Sequence, residues 1–383
     1  MKKIIYVLAI AATTAVVACG SSQKAEKNDN VATEATEEQA AVASESAAYV
    51  LPEEIAAEIA AVEALAAEHS AEELKSMLNM RSYVLGANMG LSLNLQFADL
   101  NLDVEALKSN IINFYLNGDV EDVKFLEDCG KFQGFLYMRY MPYMRAKQNR
   151  QIMESAGMTE NLPELPELFD NEYTAEFIAN NFGSQMGASL IDVDGIHMGW
   201  FFKGFNDGAV VESEEAVESS LLVTIDEMQA ELFSVQTEMI EKMEKKAEQK
   251  RVEAKERSAA WLAEIEKQEG VQKSASGLLY RIERKGNGEF PTADNDRVTV
   301  HYEGTLSTGE VFDSSYERGE TITFGLNQVI KGWTEGLKLI DKGGEITLWI
   351  PSDLAYGEQG AGGGSIGPNE ALKFKVELFG INE

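Results

Sequence analysis

The side chains most often used as nucleophiles or metal ligands are few and far apart in this chain. Its 383 residues contain three histidines (His69, His197 and His301) and two cysteines (Cys19 and Cys129). The histidines do not have metal-ligand spacing, and two cysteines form neither a four-ligand zinc site nor a disulfide framework. These residues argue against zinc catalysis and redox chemistry, and the sequence implies no metal and no cofactor.

The net charge excludes a further class of function. The chain has 33 Lys+Arg residues against 64 Asp+Glu residues, which gives a formal net charge of −31. A surface of this sign repels phosphate backbones, so no nucleic-acid partner is expected. At roughly 100–200 residues per domain, the length allows two or three domains.

Residues 1–18 have the organisation of a signal peptide. Lys2 and Lys3 precede an uncharged, mostly apolar stretch over 4–17 that is too short to span a bilayer permanently. Ala18 and Cys19 follow, an order that resembles a bacterial lipoprotein signal, in which the cysteine receives a lipid. We therefore expect an exported cell-envelope lipoprotein, anchored through Cys19 in the outer membrane, with its periplasmic or outward orientation open. An ordinary secretory peptide is the alternative.

Residues 19–52 carry few large apolar side chains, which predicts a flexible acidic tether.

The next part of the chain contains two similar helical segments, predicted at 53–160 and 161–223. Each has two glycines four residues apart, an Asp-Val-acidic sequence, an apolar helix and a terminal glycine: Gly86, Gly90, 103–105 and Gly118 in the first copy, and Gly183, Gly187, 192–194 and Gly208 in the second. Small residues at this spacing allow close helix packing, and repeated units usually bury surface on each other. Pro163 and Pro166 mark the boundary between the copies.

One long helix is predicted over 224–270. Thr224 and Glu227 form a capping box at its start, and Gly270 lies where a helix stop belongs. Apolar residues recur at helical spacing as far as Met243, so the first half buries one face. The sequence from Glu244 to Arg257 has no apolar stripe and favours a solvent-exposed spacer. A coiled coil is the alternative.

The C-terminal hundred residues change character. Alternating stretches begin at Gly277, Arg297, Glu345 and Ala371, and this period indicates an antiparallel sheet. A short helix from Gln328 presents an apolar face that the sheet can cover. His301 falls on the solvent side of its strand. The predicted fold class is a multidomain α+β protein, in which an all-α N-terminal region and a long linker helix precede an antiparallel sheet wrapped over a short helix.

Four motifs in this region carry a resemblance. The segments "VHYEGTLSTGEVFDSS" from Val300, "FGLNQVIKGWTEGL" from Phe324, "PSDLAYGEQG" from Pro351 and "IGPNEALKFKVEL" from Ile366 resemble an FKBP-type peptidyl-prolyl isomerase, or rotamase. The resemblance covers residues 271–383. The upstream part is more loosely similar to the helical dimerisation domain of the Mip-like exported subfamily. Here that helical unit occurs twice.

The resemblance implies a site. Trp333 would form the floor of an apolar bowl, the Tyr356 hydroxyl and the Ile330 N–H would donate to substrate carbonyls, and Asp313 would lie at the rim. The implied catalytic residues are Tyr302, Asp313, Trp333 and Tyr356, and the implied substrate-binding residues are Phe312, Phe324, Val329, Ile330, Ile366 and Phe374. Residues 357–367 would form a flap over the site. An isoleucine at Ile322 and the Ile366-Gly367-Pro368 sequence depart from many relatives, and we expect an altered substrate preference.

Two functions from different classes follow. The first is a prolyl isomerase, with a chaperone-like body, that acts on proline-containing unfolded or nascent exported polypeptides. The second is a non-catalytic scaffold lipoprotein that binds proline segments. For the helical region, a homodimer and a monomer whose two copies pair within one chain are both open.

Overall fold

The computed structural model describes residues 51–211, 213–361 and 365–382. The predicted signal peptide, the lipidation site Cys19 and nearly all of the predicted tether lie outside these residues. The described residues form two compact units that divide between Lys242 and Met243. Of the helices described from residue 51 onward, none has the length and apolar character needed to cross a membrane.

The first unit is helical. Its helices are α1 (Glu53–Glu68), α2 (Ala71–Met77), α3 (Met80–Phe97), α4 (Val104–Asn117), α5 (Val123–Phe135), α6 (Met141–Ser155), α7 (Ala175–Ala188), α8 (Met198–Ala209) and α9 (Val217–Ser220). A π-helical turn, Leu136–Tyr140, joins α5 to α6 without a break. The long helix α10 (Ile225–Glu266) begins in this unit.

The two copies of the repeat interleave. Helix α3 of the first copy packs against α8 of the second, and α4 of the first packs against α7 of the second. Glycines lie where the helices touch: a Cβ added to Gly86 would lie 1.8 Å from the Phe201 carbonyl oxygen, and one added to Gly204 would lie 2.0 Å from the Tyr83 carbonyl oxygen. The predicted role of the spaced glycines in close helix packing is confirmed.

The terminal glycines of the two copies are not equivalent. Gly118 is the C-cap residue of α4, whereas Gly208 lies inside α8, where an added Cβ would be 2.3 Å from the Ala87 carbonyl oxygen. The predicted match of these two glycines is therefore wrong. Gly208 allows the close contact with α3 and does not cap its helix.

Two apolar cores hold the first unit together. The larger one includes Tyr83, Leu107, Phe201 and Phe205, all fully buried. A smaller aromatic core forms where α5 and the π-helical turn meet α7, and its buried members are Leu100, Phe132, Phe135, Tyr140 and Ile178. Cys129 is buried on α5.

The long helix departs from the predicted spacer. Residues 243–253 are exposed, as expected, but Ala254, Ser258 and Ile265 are buried. The Ser258 hydroxyl accepts a hydrogen bond of 3.0 Å from the Ala371 N–H, and the Asn369 side chain donates to the Arg251 carbonyl at 3.1 Å. The end of α10 therefore packs on the sheet unit. Trp261 and Leu262 pack there as well, in a small apolar cluster with Ile265 and the sheet residues Leu279 and Trp349. The charged residues over 244–257 interrupt the apolar pattern before this cluster, so the pattern does not connect it to the first half of the helix.

The second unit is a sheet of seven antiparallel strands. They are β1 (Gln272–Lys273), β2 (Leu279–Arg284), β3 (Arg297–Leu306), β4 (Val311–Ser314), β5 (Ile322–Gly325), β6 (Glu345–Ile350) and β7 (Leu372–Ile381). Their order is β1-β2-β6-β7-β3-β4, and β5 also pairs with β3. The four predicted strands are confirmed as β2, β3, β6 and β7. The strands β1, β4 and β5 have two to four residues, which is too short for a period of two to stand out.

A short helix fills the concave face of the sheet. Helix α12 (Lys331–Gly336) follows a second short helix, α11 (Ser315–Arg318), in the chain. Added Cβ atoms on Gly332 and Gly336 would lie 2.4 Å and 2.6 Å from the side chains of Ile350 and Leu348 on β6. The two glycines thus let α12 lie close to the sheet. Trp333 lies between these glycines in the sequence of α12.

Candidate active site

A cavity of about 490 Å³ opens where α12 meets β3, β4, β5 and β7. Its lining is mostly aromatic and aliphatic, which suits an apolar ligand held by a few polar groups. The described lining residues are Tyr302, Phe312, Asp313, Ile322, Phe324, Gln328, Val329, Ile330, Trp333, Tyr356 and Phe374.

Trp333 is the centre of this cavity. The rings of Tyr302, Phe324 and Phe374 lie 5.1, 5.2 and 5.0 Å from the indole, centroid to centroid, and Tyr302 and Phe374 stand nearly perpendicular to it. Such edge-to-face contacts fix the indole plane. The side chain is 4% exposed, and its Nε1–H is buried without a hydrogen-bond partner among the described residues. The three ring contacts therefore hold the floor of the cavity in one orientation.

One polar cluster lies at the rim. The Tyr302 hydroxyl donates to the Asp313 carboxylate, and the Arg318 guanidinium donates to the same carboxylate and, at 3.0 Å, to the Tyr302 oxygen. Burial and the bond to Asp313 raise the pKa of Tyr302. The bonds to Asp313 and Tyr302 raise the pKa of Arg318. The tyrosine thus stays neutral and the arginine charged at physiological pH, so the carboxylate has a fixed position.

Two further hydrogen-bond donors, the Tyr356 hydroxyl and the Ile330 N–H, face the cavity and have no acceptor among the described residues. Tyr356 is 41% exposed, and burial followed by the charge of Asp313 raises the pKa of its phenol, which therefore keeps its proton at neutral pH. Ile330 is the N-cap residue of α12, so its N–H is not used by the helix, and it donates to no acceptor among the described residues. Both donors are available to a ligand carbonyl.

Nine of the ten residues implied by the resemblance line this cavity. The exception is Ile366, which is 4% exposed and pairs with Ala361, and its side chain belongs to the core of the sheet unit. Its part in substrate binding stays a prediction, and residues 362–364 of the predicted flap lie outside the described residues.

Sequence reasoning missed Gln328 in the lining and Arg318 at the rim. Arg318 follows Asp313 by five residues, and only the turn at α11 brings their charges together. A cation shortly after an acidic site residue is the signal that could have found it.

Parts of the chain are similar to known proteins. Residues 288–379 match the family model described as FKBP-type peptidyl-prolyl cis-trans isomerase, and residues 175–282 match the model of the domain amino terminal to it. A probable FKBP-type peptidyl-prolyl cis-trans isomerase of Haemophilus influenzae is 40% identical over 214 residues, which are 56% of this chain and 88% of that protein. This chain belongs to the FKBP-type peptidyl-prolyl cis-trans isomerase family.

Other family members match shorter parts. The probable isomerase FkpA of Neisseria meningitidis is 46% identical over 44% of this chain and 62% of its own length. The isomerase Mip of Coxiella burnetii is 50% identical over 33% of this chain and 55% of its own length. The crystal structure of FkpA from Escherichia coli has 39% identity and a TM-score of 0.40, over 44% of this chain and 78% of that one. The amino-terminal family model begins at residue 175, so it matches one helical copy and not the other.

Proposed function

We propose that this FKBP family member accelerates the cis-trans isomerisation of X-Pro bonds. The observation that supports the proposal best is the aromatic cavity centred on Trp333, with two unused donors facing it. The described lining holds no lysine, histidine, serine or cysteine, and its one carboxylate, Asp313, is held by hydrogen bonds from Tyr302 and Arg318. The site therefore suits a reaction in which no covalent bond is made or broken.

Bond rotation needs only such a site. Amide resonance gives the peptide bond a rotation barrier of about 18–20 kcal/mol, and X-Pro bonds isomerise over tens to hundreds of seconds. In the transition state the C–N bond is twisted and the carbonyl is less polar than in the planar amide. A water-free apolar cavity disfavours the polar planar form, so the twisted form is bound more tightly.

Each side chain has a role in this proposal. The proline ring lies on Trp333, within walls formed by Phe312, Phe324, Val329 and Phe374. The Tyr356 hydroxyl and the Ile330 N–H donate to carbonyls on either side of the proline and hold the chain while the bond turns. Tyr302 and Asp313, fixed by Arg318, form the polar edge that faces the rotating carbonyl.

Exchange NMR on a short X-Pro peptide tests the proposal. We expect acceleration by the parent protein, loss of most of it in Trp333→Leu, and about a tenfold reduction in Tyr356→Phe, in line with the loss of one donor. Phe379→Ser is the matched control, because Phe379 is a 48% exposed aromatic on the outer face of the same sheet. Circular dichroism verifies folding. A folded parent that binds the peptide without acceleration would indicate the scaffold function instead.

The cellular setting is part of the proposal. We infer an exported lipoprotein, held in the cell envelope by a lipid on Cys19, that acts with chaperone-like activity on proline-containing exported polypeptides. The signal-like residues 1–18 support export. Mass spectrometry of the mature N-terminus tests it: a diacylated cysteine is expected, and an unmodified Cys19 would refute the lipid anchor.

The helical pairing bears on the oligomeric state. Because α3 pairs with α8 and α4 with α7 inside one chain, the interleaved contact needs no second molecule. We therefore favour a monomer over the homodimer that single-copy architecture implies. Light scattering should give the mass of one chain, which is 42.1 kDa before residues 1–18 are removed, whereas twice the mass of one chain would support the homodimer.

A further inference from the structure

An unusual exposed surface lies on the first helical copy, outside the part of the chain that the family models match. Helix α6 has fifteen residues and none of them is buried. It nevertheless carries five large apolar or aromatic side chains: Met141, Tyr143, Met144, Ile152 and Met153. A helix normally buries such side chains against a core. Here Met144 packs against the smaller aromatic core, and Tyr143 and Met153 are half-buried. Met141 and Ile152, in contrast, are 58% and 60% exposed.

The π-helical turn explains how this surface forms. Pro142 has no N–H to donate to the carbonyl four residues earlier, and the Met141 N–H bonds instead to the Leu136 carbonyl. The extra residue in the turn rotates the following side chains around the helix axis. Phe135 and Tyr140 remain buried, whereas Tyr137, Met138 and Met141 are 77%, 64% and 58% exposed. π-Helical turns of this kind are frequent at functional sites.

The surface is concave. One hollow of about 540 Å³ is lined by Tyr137, Met138, Met141, Pro142, Arg145, Ala146, Asn149 and Pro163. A second hollow of about 860 Å³ is lined partly by Met141, Met144 and Arg145 and extends to the end of α3. Met141 and Arg145 line both. We call the residues Tyr137, Met138, Met141 and Arg145 the Met/Arg surface.

The charge of this segment is opposite to that of the chain. Residues 129–153 contain five basic residues and no acidic one, in a chain of net charge −31. Lys147, Arg139 and Arg150 pair with Asp99, Asp170 and Glu154. Arg145 has no acidic partner among the described residues, although it lies between the two hollows.

We propose that the Met/Arg surface binds extended, acidic and apolar segments of unfolded polypeptides. Methionine side chains are flexible and polarisable, so they adapt to many apolar partners. The hollows accept side chains, and Arg145 attracts a carboxylate between them. A flat anionic membrane would fit a concave surface poorly. The inference rests on the chaperone-like role proposed above and gives it a location that does not involve the isomerase cavity.

Fluorescence anisotropy with two labelled peptides tests the inference on the full chain. Both peptides lack proline and carry the same apolar side chains, so any binding to the cavity around Trp333 contributes equally to the two. One alternates Leu and Phe with Glu, and the other has Lys in place of every Glu. We expect the acidic peptide to bind, the basic one not to bind, and binding to weaken as salt rises. Arg145→Glu and the double variant Met138→Ser/Met141→Ser should each weaken binding about tenfold.

Controls separate this result from the proposed catalysis. Phe233→Ser removes an equally exposed (70%) apolar side chain from an acidic stretch of α10 and should leave peptide binding unchanged. Both surface variants should isomerise a short X-Pro peptide at the parental rate, so a failure of one proposal is distinguishable from a failure of the other.

Four outcomes would overturn the inference, the first three of them in peptide and vesicle binding. They are equal binding of the acidic and basic peptides, full binding by the double variant, and an Arg145-dependent attachment to phosphatidylglycerol vesicles without peptide binding. An Arg145-dependent dimer in light scattering would likewise assign the surface to a second copy of the chain.

Discussion

Replacing Gly86 by alanine adds one methyl group at the closest approach of α3 and α8. That methyl carbon would lie 1.8 Å from the Phe201 carbonyl oxygen and 2.8 Å from the Phe205 nitrogen. Side-chain carbons essentially never come within 3.0 Å of such atoms. Both obstacles belong to the backbone of α8, so no rotamer change relieves the clash. The helices must separate by roughly 1 Å, the shortfall from that limit.

The energetic effect has two opposing parts. Overpacking a core typically costs about 1–3 kcal/mol, and a rigid backbone obstacle belongs at the upper end of that range. A radial gap of about 1 Å also removes up to half of the dispersion attraction of each contact along the pair. Alanine offsets about 1 kcal/mol through its higher helix propensity. The free energy of unfolding of the helical unit should therefore fall by about 2 kcal/mol or more.

Gly130→Ala is the matched control. Gly130 also lies inside a helix, α5, but no heavy atom lies within 4 Å of the position of its added Cβ. Only the higher helix propensity of alanine remains, so the free energy of unfolding of this variant should rise by about 0.5–1 kcal/mol. The same chemical change is thus expected to have opposite signs at the two positions.

Hydrogen exchange followed by mass spectrometry shows whether the loss of stability is confined to the helical unit. Peptides from 80–97 and 198–209 should exchange faster in Gly86→Ala, while peptides from β3 and β7 remain unchanged. Urea unfolding followed by circular dichroism gives the free energies. If Gly86→Ala were as stable as Gly130→Ala, the close contact between α3 and α8 would be refuted.

Three further predictions concern the sheet unit. Ser258→Ala leaves the buried Ala371 N–H without an acceptor, so urea unfolding should show a loss of about 1–3 kcal/mol, and no loss would refute docking of α10. The N–H of Ala293, the Asn382 side chain and a second backbone N–H lower the pKa of Asp296 to about 2. Stability present above pH 3.8 should therefore fall as the pH approaches 2 in thermal scans, and Asp296→Asn should flatten that fall. Tyr302→Phe should slow isomerisation about tenfold by exchange NMR, and a parental rate would exclude a role for this hydroxyl.

The sequence predicts β2, β3, β6 and β7 well because these four strands are long enough for a regular alternation to stand out. Val298, Val300 and Tyr302 alternate with outward residues in β3, and they are buried as that alternation requires. His301 lies on the outer face, stacked on Tyr316 at 4.7 Å. The aromatic cavity residues could be placed only through the resemblance, because a single aromatic residue in a strand is equally compatible with an ordinary core.

The arrangement of the helical unit could not be predicted in the same way. A repeat shows that two segments are equivalent, but it does not show which helix of one copy pairs with which helix of the other. Similarly, the end of α10 docks through a few apolar residues, such as Trp261 and Ile265, and through the Ser258 hydroxyl. After the charged residues over 244–257, these residues are too few to show a continuous apolar stripe. Arg318 was missed because its role arises from a turn that brings together charges from two different elements.

The interleaving of α3 with α8 and α4 with α7 has a consequence for dilution. When such a contact forms between two molecules, the fraction assembled depends on protein concentration. Here both partners belong to one polypeptide, so the contact forms in a first-order step at a constant effective concentration. The helical body should therefore remain assembled even when the protein is scarce. The same polypeptide contains two helical copies and one isomerase domain. The ratio of helical copies to catalytic cavities is therefore always two to one and does not depend on assembly.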